Sequence, residues 1–179
     1  MDELTTTLRT ARLTLRPFAV ADAERVLEIQ SNWNVTRMLR MAPSPQTLDL
    51  TRAWLGSHAG ERRSGQGYRF AVTLEGRIIG CADVDEIADG AGVIGYWLDE
   101  AAWGRGFATE AASAVVDFAF QRLGLERLAS GRAADNDASG QVLEKLGFRR
   151  VGEGLVWSRP RQAEIRQLWY ELPRERWRS

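Results

Sequence analysis

Several residue types that build common protein sites are scarce in this sequence. It contains one cysteine, Cys81, and one histidine, His58. A disulfide framework needs paired cysteines, and a zinc site of the usual ligand number needs more Cys and His than the chain holds. Both are excluded, and we expect no metal. A chain without disulfides has the cytoplasm as its default compartment.

An excess of charge of one sign is also absent. The sequence has 24 basic and 24 acidic residues, so its formal net charge is zero. A basic face is therefore not indicated, and we expect no nucleic-acid partner. No apolar run approaches the length of a membrane span, and Met1–Leu4 starts acidic rather than as a signal peptide. We therefore expect no membrane partner.

The sequence does contain enough apolar residues for a core, since 44% of its 179 residues are hydrophobic. Its length favours a single domain, residues 1–179. Strand-like runs alternate with helical patterns, which predicts an α/β (α+β) domain with a mixed central sheet of about seven strands flanked by helices. The predicted strands are 12–16, 68–74, 77–84, 93–98, 127–132, 148–153 and 165–172.

The segments between these strands divide into helices and loops. A helix is predicted after the cap Asp22, and another starts at Ser44-Pro45, with Ser as the cap and Pro in the first position. A third helix covers 111–123, and a short fourth follows Asn136. Segment 33–41 fits neither pattern. The predicted loops are 61–67, the turn region 85–92 and a long loop around 159–161.

The pattern is organised around the turn Trp103–Glu110, between a predicted strand and a predicted helix. Gly104 and Gly106 allow the backbone to turn sharply and to approach a ligand closely. The first N–H groups of a helix lack partners within it, and with the helix dipole they bind anions, most often phosphate. Thr109 adds a hydroxyl and Arg105 a charge. A tight turn without a ligand fits the same motif, because Gly-x-Gly alone is a weak signal.

Four motifs follow one another in an informative order: Gly95–Leu98, Trp103–Ala111, Asn136-x-x-Ser139 and Leu143–Phe148. Together they resemble the GNAT acetyltransferase superfamily, and within it the RimJ/RimL-like branch that acetylates the amino termini of ribosomal proteins. The resemblance covers nearly the whole chain. It implies a GNAT fold and an acetyl-CoA-dependent N-acetyltransferase, in which an amine attacks the thioester directly in a ternary complex.

The resemblance also implies a binding site for acetyl-CoA. The pyrophosphate is expected on the amides of 104–108 and the pantetheine arm along 96–98, with Asn136 holding the arm and Ser139 near the sulfur. Capping of a helix is the alternative role for Asn136, and a solvated surface charge is the alternative for Lys145 and Arg105. The expected donor-binding residues are Tyr96, Trp97, Leu98, Trp103, Gly104, Arg105, Gly106, Phe107, Ala108, Thr109, Asn136, Ser139 and Lys145.

The sequence departs from the superfamily at three positions. Trp103 replaces a Gln or Arg, so a side-chain contact to the pyrophosphate is lost. Leu143 stands where many members have a tyrosine that protonates the thiolate, so Ser139 or water must supply that proton. Val93, or Gly92 in a shifted register, stands where some relatives have a Glu. The general base is therefore open.

Acidic residues near the turn supply alternatives for the base. No basic residue occurs between Arg77 and Arg105, whereas six acids do, and such a cluster would attract a cationic amine. A pair of solvated turns explains the same pattern. Glu164 is a more remote candidate. The preferred base candidates are Asp83, Asp85 and Glu86.

The remaining side chains of interest have simpler expected roles. Glu110 complements the helix dipole, Cys81 is a small buried hydrophobe rather than an acyl carrier, and His58 is exposed. The resemblance places two early helices beside the acceptor pocket. Tryptophans that fall where the family builds this pocket are Trp33, Trp54 and Trp157.

The sequence leaves the acceptor and the assembly open. The acceptor amine is a protein N-terminus or a small molecule, and the chain is a monomer or a homodimer. A protein that binds CoA without turnover, as a sensor or a partner-binding module, is the alternative function. The substitutions at Leu143 and Val93 favour that alternative.

Overall fold

Eight strands form one mixed sheet in the computed structural model, which describes residues 6–177. Met1–Leu4, and with it the expectation about a signal peptide, lies outside the described residues. Across the sheet the order is β1-β2-β3-β4-β5-β6-β8-β7. In chain order the strands are β1 Leu8–Arg9, β2 Thr14–Pro17, β3 Tyr68–Leu74, β4 Arg77–Ala88, β5 Ala91–Leu98, β6 Arg127–Ala133, β7 Arg149–Ser158 and β8 Ala163–Pro173.

The mixed α/β sheet predicted from the sequence is confirmed, with one strand more than expected. The additional strand is β1, whose two residues pair with β2. Two residues are too few to show a period-2 pattern, which explains why the sequence did not reveal it. No helix in the described part of the chain is long and apolar enough to cross a membrane.

Helices cover both faces of the sheet, and the alternation of side chains along β3 separates two cores. Phe70 and Val72 are fully buried in the large core, which contains α4, whereas Ala71 between them packs in a smaller core with Ile29 and Val35 of α1 and α2. The helices are α1 Ala23–Gln30, α2 Trp33–Thr36, α3 Leu48–Arg63, α4 Phe107–Asp117 and α5 Asp137–Lys145, and α4 continues into a π-helical turn at Phe118–Arg122.

Two predicted helix starts were wrong, and in both cases a residue other than the predicted one caps the helix. Helix α3 starts at Leu48 because the Thr47 hydroxyl accepts the N–H of Leu50 at 3.3 Å. It also extends to Arg63, into the segment predicted as a loop. Helix α4 starts at Phe107 rather than at 111, so the second half of the predicted turn is already helical.

Two predicted connections were also wrong, because backbone pairing continues beyond the buried part of the strands. The turn region 85–92 is mostly strand, and only Asp89 and Gly90 form the turn between β4 and β5. The long loop around 159–161 is the short end of a hairpin whose last pair is Ser158 with Ala163. Strand pairing is backbone chemistry, so exposed polar residues do not end it.

The sheet is open at its centre, where β5 and β6 form its parallel pair. The two strands pair only over Ala91–Val93 and Arg127–Ala129. Beyond this point the Ser130 hydroxyl donates to the carbonyl oxygen of Ile94 at 2.9 Å, and the strands then diverge. The divergence creates a cleft between β5 and β6, next to the start of α4.

Candidate active site

The cleft between β5 and β6 has a volume of about 1010 Å³. The first turn of α4, the start of α5, the connection between α2 and α3, and strand β8 complete its walls. Of the predicted donor-site residues and the preferred base candidates, only Arg105 is not part of the lining. Those in the lining are Asp83, Asp85, Glu86, Tyr96, Trp97, Leu98, Trp103, Gly104, Gly106, Phe107, Ala108, Thr109, Asn136, Ser139 and Lys145.

The turn before α4 is shaped by two glycines in the left-handed region. Gly104 has φ +73° and Gly106, the N-cap of α4, has φ +80°. A side chain with a Cβ is strained at such angles, so glycine is favoured at both positions. The indole N–H of Trp103 donates to the carbonyl oxygen of Leu98 at 2.9 Å. Trp103 therefore ties the turn to the end of β5.

Tyr96 and Ser139 meet across the cleft. The Tyr96 hydroxyl lies 2.9 Å from the Ser139 hydroxyl, and it donates to the Ser139 carbonyl oxygen at 3.0 Å. Burial raises the pKa of Tyr96 to about 12, against the hydrogen bond with Ser139 and the charge of Arg132. The phenol is therefore protonated at neutral pH. The sequence predicts a role for the backbone of Tyr96 alone, because no sequence signal links residues this far apart in the chain.

The first turn of α5 presents Ser139 to the cleft. Asn136 caps this helix, since its side-chain oxygen accepts the Ser139 N–H at 3.2 Å. Leu143, at the position of the superfamily tyrosine, is fully buried in the large core. The hydroxyl-bearing residues Tyr96 and Ser139 therefore line this end of the cleft, whereas Leu143 does not.

Asp83 is a buried carboxylate in the wall of the cleft, on β4 opposite Gly95. Burial, followed by the charge of Asp85, raises its pKa to about 6, whereas the charge of Arg69 opposes the rise. A Cβ at position 95 would lie 2.6 Å from the Asp83 Oδ1 atom, so only glycine fits beside it. The thiol of Cys81 donates to the other carboxylate oxygen at 3.4 Å.

Most other acids of the predicted cluster are already paired. Arg69 donates to Asp85 at 2.6 Å, and Asp99 forms an ion pair with Arg25 of α1. Glu100 accepts hydrogen bonds from Asn32 and Asn34 at 2.6 and 3.0 Å, and Asp89 lies in the hairpin turn. The six-residue cluster thus reduces to three acids in the wall of the cleft, and only Asp83 among them is buried.

Comparisons with known proteins agree with this geometry. The family described as Acetyltransferase (GNAT) domain matches residues 12–149. The chain belongs to the GNAT acetyltransferase family. It is 35% identical over 147 residues to the Bacillus subtilis protein named "Probable N-acetyltransferase YjcK", covering 77% of this chain and 81% of that protein. Membership of this family, together with the relative named above, identifies the chain as an N-acetyltransferase.

Solved structures of ribosomal-protein acetyltransferases share the GNAT fold of this chain. Mycobacterium smegmatis RimJ, in complex with CoA-disulfide, superposes with a TM-score of 0.85 at 22% identity, covering 96% of this chain and 87% of that one. Ribosomal-protein-S5-alanine acetyltransferase from Vibrio fischeri gives a TM-score of 0.83 at 20% identity, covering 97% and 100%. These likenesses show the shared fold. The RimJ/RimL-like resemblance is confirmed by the Bacillus subtilis relative named "Putative ribosomal N-acetyltransferase YdaF", which is 30% identical over 148 residues, covering 79% of this chain and 80% of that protein.

Several other sequence predictions are corrected by the GNAT fold. His58 is 6% exposed rather than on the surface, because its ring packs edge-on against Trp54 with centroids 4.4 Å apart. Trp54 lines the cleft, whereas Trp33 and Trp157 are half exposed and lie outside its lining.

Two further side chains, Glu164 and Cys81, do not line the cleft. Glu164 is exposed on β8 and is not in the lining. Cys81 is fully buried, and burial raises the pKa of its thiol well above the ordinary value. Within residues 6–177, no group of His, Cys, Asp and Glu side chains is arranged to hold a metal ion.

Proposed function

We propose that this N-acetyltransferase takes acetyl-CoA as its donor and transfers the acetyl group to the α-amine of a protein N-terminus. The observation that carries the proposal is the cleft itself. It joins the glycine turn at the start of α4 to the buried carboxylate of Asp83. The backbone of the glycine turn, which suits an anion, and the carboxylate of Asp83, which suits a base, therefore line one continuous cleft.

The donor half of the cleft suits CoA. The amides of Gly104–Ala108 would receive the pyrophosphate, with Thr109 as a further donor, since unpaired N–H groups and the helix dipole favour anions at this place. Lys145 lines the same space and would meet the outer phosphates. The structure of RimJ from Mycobacterium smegmatis contains CoA-disulfide, which supports this choice of donor.

Strand β5 offers its backbone to the pantetheine arm. The carbonyl oxygens of Ile94 and Leu98 accept from Ser130 and Trp103, whereas the N–H of Asp99 donates to β4 on the other side. Peptide groups alternate along a strand, so the N–H and C=O of Tyr96 face the same opening as those of Ile94 and Leu98. They would bond the amides of the arm, as Asn136 would from α5.

Asp83 is the proposed general base. Its pKa of about 6 leaves Asp83 ionised at neutral pH, and this pKa is close enough to the working pH for the carboxylate to accept a proton from an amine. The α-amine of a protein has a pKa near 8, so part of it is already neutral. Asp85 is held by Arg69, and its charge raises the pKa of Asp83. We assign Asp85 and Glu86 to attraction of the cationic acceptor.

The transfer then follows in one site. The neutral amine attacks the thioester carbonyl, a C–N bond forms, and a backbone N–H of β5 stabilises the oxyanion. The nitrogen loses its extra proton to Asp83, the C–S bond breaks, and the CoA thiolate takes a proton from Tyr96 or Ser139, which are hydrogen-bonded to each other. Exchange with solvent then removes the proton from Asp83 and restores the one that the hydroxyl pair gave up. These hydroxyls replace the tyrosine that Leu143 cannot supply.

The acceptor class is proposed from the solved neighbours and from the cleft. The Vibrio fischeri neighbour is named as an acetyltransferase for an alanine of ribosomal protein S5. The apolar side chains of Met38, Met41 and Trp54 line the same cleft as the buried Asp83. An N-terminal amine with a small or apolar first residue fits this combination of one buried charge and apolar walls.

The test is steady-state release of CoA thiol from acetyl-CoA with a panel of amines. The panel contains peptides with free N-termini, the same peptides with blocked N-termini, polyamines and an aminoglycoside. We expect release with free peptides only, and a product heavier by one acetyl group at the N-terminus. Release with polyamines alone contradicts the acceptor class, and tight CoA binding without release from any amine supports the sensor function instead.

A further inference from the structure

Helix α4 carries a carboxylate next to the proposed phosphate site. Glu110 lies in the first turn of α4, and its side chain is only 17% exposed. An unpaired carboxylate there would repel the phosphates that the same helix end attracts. The charge of Glu110 must therefore be compensated when CoA binds.

The compensation comes from the connection between β1 and β2. The Thr10 hydroxyl donates to Glu110 Oε1 at 2.5 Å, and the backbone N–H of Arg12 donates to the same oxygen at 2.9 Å. The guanidinium of Arg12 contacts Glu110 Oε2 through Nε at 2.7 Å and through Nη2 at 2.6 Å. We call Thr10, Arg12 and Glu110 the clasp.

The clasp also reaches the glycine turn itself. The Nη1 atom of Arg12 donates to the carbonyl oxygen of Arg105 at 3.0 Å, and its guanidinium lies 4.4 Å from the centre of the Phe107 ring. Arg105 stands between Gly104 and Gly106. Glycine has the largest conformational freedom of any residue, so a peptide between two glycines needs an outside contact to hold one shape.

We propose that the clasp positions the turn Gly104–Gly106 for the pyrophosphate of the donor, and that Arg12 is its central positioning residue. The inference rests on the proposed use of acetyl-CoA. Arg12 acts in two ways: it neutralises Glu110, and it fixes the carbonyl of Arg105 so that the neighbouring amides point into the cleft. Arg12 is not in the lining of the cleft, so it acts through the turn and not by touching phosphate.

The test compares ligands with and without a pyrophosphate. Dissociation constants of CoA and of pantetheine are measured for the wild type, for Arg12→Ala, and for Arg9→Ala as a matched control on the exposed side of β1. Charged hydrogen bonds contribute about 1.5–3 kcal/mol each, so we expect CoA to bind Arg12→Ala about 10- to 100-fold more weakly. Pantetheine affinity stays unchanged, and Arg9→Ala behaves as the wild type with both ligands.

A double variant separates the two actions of Arg12. In Arg12→Ala/Glu110→Ala the repelling carboxylate is absent, so CoA affinity recovers in part. It does not recover fully, because the variant still lacks the hydrogen bond from Arg12 to the carbonyl oxygen of Arg105. The milder variant Thr10→Val shifts CoA affinity in the same direction by a smaller factor. A clasp that is merely structural would weaken CoA and pantetheine equally, and that result overturns the inference. Absence of CoA binding by the wild type would overturn the proposed donor instead.

Discussion

Replacing Asp83 with Asn removes the proposed base while keeping the shape of the side chain. A general base contributes about 10²- to 10⁴-fold to a rate, so we expect kcat to fall by about that factor. The same change removes a buried charge. The pKa of Asp83 rises from 3.8 to about 6 on folding, mainly through burial. At about 1.4 kcal/mol per pKa unit, the ionised carboxylate costs the folded state about 3 kcal/mol.

The variant should therefore be slower and more stable at the same time. Because the folded-state pKa is raised, the native protein binds more protons than the unfolded chain between pH 3.8 and about 6. Wild-type stability relative to Asp83→Asn therefore declines as pH rises through that window. Above it the variant gains on the order of 1–3 kcal/mol, with the low end expected if one amide N–H finds no acceptor.

The assay measures kcat/KM for the acceptor amine against pH, together with urea unfolding at each pH. In the wild type both Asp83 and the amine must lose a proton, so log kcat/KM rises with a slope near two below pH about 6. In Asp83→Asn the slope is near one throughout. Asp85→Asn is the matched control. It removes a charge that raises the pKa of Asp83, so its acid limb shifts to lower pH without losing the steeper slope.

Two results would refute the assignment of Asp83. One is wild-type kcat in Asp83→Asn, which would mean that water or another acidic residue is the base. The other is a variant that loses activity and stability together with an unchanged slope, because this would make Asp83 a structural residue.

Other predictions concern the hydroxyl pair, the turn and a buried ring. Tyr96→Phe should lower kcat by about 100-fold, the low end for a general acid, with KM for acetyl-CoA unchanged, and Ser139→Ala should add to the loss if the two hydroxyls share the proton. Gly106→Ala, at φ +80°, should weaken CoA binding about 5- to 30-fold in calorimetry, through about 1–2 kcal/mol of backbone strain. Gly56→Ala, whose added Cβ meets no atom within 4 Å, should bind CoA normally and raise stability by about 1 kcal/mol. His58→Phe should raise the free energy of unfolding by about 1–3 kcal/mol, because both ring nitrogens are buried without a hydrogen-bond partner in the described structure. Burial lowers the pKa of His58 to about 3, so wild-type stability should fall as pH drops from 6.5 toward that value, and this part of the acid sensitivity should be missing in His58→Phe.

The strands and the glycine turn were predictable because their signals are local. Runs such as Val93–Leu98 carry β-branched and aromatic residues, and Gly104 and Gly106 mark the turn by residue type alone. The length of β7 and β8 was not predictable, because their outer halves are largely exposed and are held by backbone pairing.

The contacts within the site were hidden for another reason. Tyr96 meets Ser139 from a distant part of the chain, and Arg12 meets Glu110 across an even longer separation. Pairs of this kind depend on the topology of the sheet and not on spacing in the sequence. His58 illustrates the same limit. It occupies a polar position in the helical pattern of the sequence, and that pattern does not reveal that the rings of Trp54 and Phe18 cover it.

Calorimetric titration with acetyl-CoA, CoA and ATP tests the central claim most directly. ATP shares the nucleotide and the phosphates with CoA but lacks the pantetheine arm that the backbone of Tyr96 is proposed to bind. We expect acetyl-CoA and CoA to bind one site per chain, and ATP to bind far more weakly. Failure of acetyl-CoA to bind, or ATP binding of equal strength, would contradict the assignment of the cleft to an acetyl-CoA donor.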